Sequence, residues 1–152
     1  MLKSLKKILL KQTNFSDHEK SLNYELSLLC GIMLEAASVD GKIDQSEIDK
    51  IKSSLIKIFE EDPKEVEEVI INCMKNIDEP NSFHFYTSRI NKSFDDEKKN
   101  LLLECLWEIV LSDGEIHDFE SNLIRRLSGL MYIPDITCGK IKKKVLSKLN
   151  KF

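Results

Sequence analysis

Two stretches of this chain, LEAASVDGKIDQSE from Leu34 to Glu47 and LWEIVLSDGEIHDFE from Leu106 to Glu120, follow one plan. That internal repeat limits the folds open to the sequence. Under a constant shift of 73 positions Glu35 falls on Glu108, Asp40 on Asp113, Gly41 on Gly114, Ile43 on Ile116, Glu47 on Glu120 and Ile51 on Ile124. Asp44 falls on His117, another side chain able to ligate a cation. Each copy reads as an apolar helix, a tight Asp-Gly turn, an inward-pointing Ile and a second helix with an acid in its first turn. The spacing predicts a duplicated helix-turn-helix unit.

The turns carry two chemical readings. Asp-Gly-x-Ile-x-x-x-Glu copies the second half of a calcium-binding EF-hand loop: an oxygen at its fifth position, Gly at the sixth, Ile at the eighth and a carboxylate at the twelfth. The first half is missing, because Ala36 and Ile109 stand at the first position and Ser38 and Leu111 at the third. Ca²⁺ takes six to eight oxygens, so neither loop suffices alone. A cation would be held by both copies together, or with Glu35 and Glu108 added from the preceding helices. The second reading is capping. Gly41 and Gly114 can close their helices in the left-handed conformation. Asp44 with Glu47 forms a capping box, and Ile43 with Ile48 a hydrophobic staple. Capping alone explains the first copy; the second fits it less well, because His117 is a poorer cap and Ser121 replaces the stapling Ile.

A chain of 152 residues, 41% hydrophobic, is long enough for one domain with a substantial core. A formal charge of −3 with intermixed Lys and Glu does not suggest a nucleic-acid partner, whose basic residues would cluster on one face. The widely spaced Cys30, Cys73, Cys105 and Cys138 form no Cys-x-x-Cys pair and read as core thiols of a cytoplasmic protein. No apolar run approaches the roughly 20 residues of a membrane span, and no signal-peptide pattern is present.

Residues 1–16 read as an amphipathic basic N-terminal helix and link. Leu2, Leu5, Ile8 and Leu9 share a face with lysines around the rest, so the helix could dock on the bundle or touch an anionic membrane surface peripherally. Residues 17–152 form the helical domain. Apolar positions recur at helical spacing from Asp17 to Ala37, from Ile48 to Phe59, after Pro63 under an Asp62 cap, and around Phe83, Tyr86 and Ile90. Gly31, Ala36 and Ala37 allow a close helix crossing. Ser93 is expected to cap the next helix, whose stretch Leu101–Leu111 is apolar enough to be central. Phe119, Leu123, Ile124, Leu127, Leu130 and Met131 continue the core, and a last helix from Asp135 to Leu149 carries Lys142–Lys144 and Lys148 as a solvated face. No strand signal appears. The expectation is an all-α, single-domain bundle of seven to eight helices with two pseudo-symmetric helix-turn-helix repeats.

The segments LEAASVDGKID-x-x-E, FYTSRINKSFDDEKK and LWEIVLSDGEIH-x-x-E-x-NLIRRLSGLMYI resemble the TerB-like tellurite-resistance family, in particular a short bacterial branch of it. The resemblance covers nearly the whole chain. It implies a helical bundle with a pseudo-twofold pair of units and, carried over by position, a divalent-cation site at Glu35, Asp40, Asp44, Glu47, Glu108, Asp113, His117 and Glu120. It also implies a non-enzymatic stress-response module with a protein partner, working in membrane-associated complexes or beside chaperones. Two competing classes are a membrane-surface adaptor anchored by the basic N-terminal helix, at the inner membrane face, and a metal-dependent hydrolase. The hydrolase lacks a recognisable nucleophile setting or phosphate loop.

Overall fold

The structure is a computed structural model and describes residues 17–39, 43–75, 82–111 and 118–149. The expected N-terminal helix (1–16) and the turn glycines Gly41 and Gly114 lie outside the described residues. Those residues form seven α-helices and no strand: α1 Asp17–Ala37, α2 Gln45–Lys57, α3 Pro63–Lys75, α4 Phe83–Ser93, α5 Asp96–Val110, α6 Asp118–Leu130 and α7 Asp135–Leu149.

The repeat reaches further than the turns. Shifting by 73 carries the end of α1 onto the end of α5, both ends of α2 onto those of α6, and α3 onto α7 to within one residue at each end. Packing follows the same plan, for α1 lies against α2 and α3 while α5 lies against α6 and α7. The repeated unit is therefore three helices rather than the helix-turn-helix pair that the turn motif suggests. Helix α4 has no counterpart; it connects the units and packs on α1 and α6.

One ion pair joins equivalent positions of the two units. Lys98 Nζ bonds Glu25 Oε1, and these two positions are related by the repeat shift itself. The two units thus meet along α1 and α5, which pack against each other. Both lead helices are apolar almost all round, as such a position demands. Leu28–Leu34 and Leu102–Trp107 are nearly continuous buried runs. At the α1–α4 crossing, a Cβ on Gly31 would run into the Tyr86 ring, which is the close approach that the small residues allow.

Helix starts follow local chemistry. Asp44 caps α2 in a full capping box with Glu47, Asp62 accepts from the amides of Lys64 and Glu65, and Ser82 caps α4. The cap of α5 is Asp95, not Ser93: Asp95 accepts from the Lys98 amide, while Ser93 is the last residue of α4. A carboxylate is the stronger acceptor beside a helix N-terminus, so the boundary moves to it.

The end of α6 also departs from expectation. Tyr132 N–H donates to the Gly129 carbonyl and Ile133 N–H to the Ser128 carbonyl, the paired bonds of a Schellman cap. The residue in the left-handed conformation is Tyr132, with φ 61°, and Gly129 lies within the helix. Leu130, expected in the core, faces outward beside Tyr132, which is 80% exposed. Gly is the favoured residue at this cap position because it has no Cβ to crowd the backbone. Tyr132→Gly should raise the free energy of unfolding by up to about 1 kcal/mol, read as a higher denaturant midpoint at unchanged slope.

Candidate functional site

The ends of α1 and α5, the whole length of α2, Glu120 of α6 and Lys148 of α7 line a cleft of about 1050 Å³. Its lining contains repeat-related pairs: Ala36 with Ile109, Ala37 with Val110 and Glu47 with Glu120. Both units therefore contribute to the cleft, the first with most of the lining. It lies at the opposite end of the lead helices from the Glu25–Lys98 pair.

Four of the eight sequence-predicted site residues, Asp44, Glu47, Glu108 and Glu120, line this cleft. Glu35 does not line it; the residue is half-buried, and burial raises its carboxyl pKa. Asp40, Asp113 and His117 lie outside the described residues.

The carboxylates in the cleft already have partners. Asp44 accepts from Ser46 Oγ at 2.7 Å and the Glu47 amide at 2.9 Å, and these bonds hold its pKa below the ordinary aspartate value. Glu47 Oε1 accepts from the Asp44 amide at 3.1 Å. The capping role is thus met in full by the first copy. Glu108 Oε1 lies 3.3 Å from Lys148 Nζ, an ammonium that itself lines the cleft.

That lysine belongs to a network the sequence reading did not foresee. Glu104 is buried in the middle of α5, and its two oxygens accept from Lys144 Nζ at 2.9 Å and Lys148 Nζ at 3.1 Å. Lys144 and Lys148 are therefore not simply a solvated face, since they reach across to anchor α7 on α5. A signal was present: a single acid inside LLLECLWEIV cannot be buried without a cation beside it, and two lysines four apart on a packed helix can supply one. Burial opposes ionisation of Glu104, but the two ammonium groups outweigh it and its pKa is lowered. Lys148 shows the reverse balance, with burial overcome by Glu104 and Glu108, and its pKa is raised.

For a cation, the donor chemistry is that of a hard ion: carboxylate oxygens from both turns. Among the described residues, no group of three or more His, Cys, Asp or Glu side chains is gathered closely enough to hold a metal.

Two three-helix units and an acidic cleft lined by both define a duplicated all-helical domain. The chain belongs to the TerB family: the family model described as "Tellurite resistance protein TerB" matches residues 27–143, from the middle of α1 into α7. No curated protein and no solved structure matches the chain. None of the described helices is long and apolar enough to cross a membrane.

Because the folded pKa of Glu104 lies below its unfolded one, its ionised form stabilises the fold above the ordinary glutamate pKa. That contribution is lost as pH falls through the folded value. Glu104→Gln should cost about 1–2 kcal/mol near neutral pH. The gap between parent and variant in urea unfolding should narrow below about pH 4.

Proposed function

We propose that this protein is a non-enzymatic binding module in which the cleft lined by both units takes a divalent cation between the acidic turns of both repeats. The supporting observation is that Glu47 and Glu120, equivalent residues 73 positions apart, open into one cavity with Asp44 and Glu108. A hard, oxygen-preferring ion such as Ca²⁺, Mg²⁺ or Mn²⁺ suits these donors better than one that favours thiolate. Fixing the two turns at one spacing would present a defined surface to a protein partner. The family description points to a role in tellurite resistance, and the cleft chemistry makes the oxyanion an unsuitable direct ligand. Asp44, Glu47, Asp49, Glu108 and Glu120 outnumber Lys50, Lys57 and Lys148 around it, and like charges repel.

Lys148 bears on the same reading. Its ammonium holds Glu108 and so competes with any ion that would use that carboxylate.

Calorimetric titration of the full chain with each of Ca²⁺, Mg²⁺, Mn²⁺ and Zn²⁺ should give saturable heat for at least one of the first three. The melting temperature should rise by the amount expected for about 2.7 kcal/mol at a hundredfold excess over the dissociation constant. Glu47→Gln combined with Glu120→Gln should abolish both effects, and Lys148→Met should tighten binding. No heat and no melting shift with any of these ions at millimolar concentration would remove the cation from the proposal.

A further inference from the structure

Helices α2 and α6 are equivalent, but their surroundings differ. Each packs on its own lead helix and on the third helix of its unit; beyond these α6 meets α4, whereas α2 rests directly on α5. The cleft opens along that seam, and its lining follows α2 from Asp44 to Ile58. The 13 residues of α2 span about 20 Å, so the cleft is an elongated groove rather than a point site. A single ion with its oxygens at about 2.3–2.6 Å would occupy a small part of the 1050 Å³.

The contacts of α4 mark the same place from the other half. Asn91 donates to the Leu130 carbonyl at 2.9 Å, and Tyr86 lies against Gly31. The positions equivalent to Leu130 and Gly31 are Lys57 and Glu104. Lys57 lines the groove, and Glu104 holds Lys148, which lines it too. In one half of the molecule an 11-residue helix bridges these two surfaces; in the other, their equivalents border a groove.

The lining specifies what kind of helix fits. Ala36, Ala37, Ile109 and Val110 give it an apolar side, while Ser53 and Ser54 are small enough for close approach. Its charge is uneven. Asp44 and Glu47 stand at the start of α2, with Glu120 of α6 also in the lining, and Lys57 stands at the far end of α2.

We propose that this groove receives an amphipathic helix of a partner protein, apolar toward Ala36, Ala37, Ile109 and Val110 and carrying Lys or Arg at the end that meets Asp44 and Glu47. An acidic helix would be repelled there by like charge. The inference rests on the reading of the cleft as a binding site and deepens its protein-partner half, without using the cation.

The test is titration of the full chain, in chelator so that no cation takes part, with a capped synthetic peptide of about twelve residues, roughly 18 Å as a helix. The peptide carries leucine along one face, alanine and glutamine elsewhere, and a cluster of lysines at one end. Amide NMR signals should shift saturably along α2 and at the ends of α1 and α5, and binding should weaken as salt rises. The same peptide with glutamate for lysine should bind about tenfold less tightly or worse. Glu120→Gln should weaken binding several-fold, and Lys57→Leu, which copies Leu130, should tighten it. Ser53→Trp should block the groove while the chain still melts cooperatively. No saturable shift at millimolar peptide, equal binding of the glutamate peptide, or shifts centred on the exposed Leu130, Tyr132 and Ile136 would overturn the proposal. So would a dimer that the peptide dissociates, which gives the groove to a second copy. Binding seen only in a chain carrying Leu5→Ser and Ile8→Ser would overturn it too, giving the groove to the chain's own N-terminal segment. Cation titration without peptide is a separate measurement, so either reading can fail while the other stands.

Discussion

The packing of α1 against α5, the equivalent lead helices of the two units, is the constraint on which the rest of the structure depends. Two helices that are apolar nearly all round must be covered on every side, and each is covered by its own pair of followers, α2 with α3 and α6 with α7. Duplication meets this requirement economically, because one solution to covering a central helix is used twice. The two ends of the lead helices differ. Toward one end Glu25 and Lys98, equivalent positions of opposite charge, close against each other. At the other, Ala36 and Ala37 belong to the lining of a cleft to which both units contribute.

Charge along α5 has a different origin from charge in the turns. Glu104 stands at the position that Gly31 occupies in the first unit, so this part of the network breaks the symmetry. Where Gly31 lets Tyr86 of α4 approach closely, Glu104 draws in Lys144 and Lys148 from α7. The two units thus share a backbone plan and differ in what fills one position on the lead helix. Lys148 then extends to Glu108, and through it the anchoring of α7 is joined to the electrostatics of the cleft.

Within the TerB family assignment, the cleft has properties that a sequence motif does not convey. Its acids serve the fold as well as any ligand: Asp44 and Glu47 complete a capping box, and Glu108 neutralises a lysine. Any ligand entering this cleft would have to share these carboxylates or displace their present partners, at a cost to its affinity.

The sequence by itself determined the repeat, the helical class and the capping box at Asp44, because these depend on spacing and on hydrogen bonds between residues three or four apart. It also marked Glu47 and Glu120 as equivalent. It could not say that they share a cavity, since that depends on the direction in which α1 and α5 lie together. Tertiary structure alone decided that Lys144 and Lys148 turn inward to Glu104, that Tyr132 rather than a glycine takes the left-handed cap, and that Gly31 lies against the Tyr86 ring. The physical reason is common to all three. A long or small side chain on a helix is compatible with several neighbours, and the choice among them is made by packing between segments far apart in sequence.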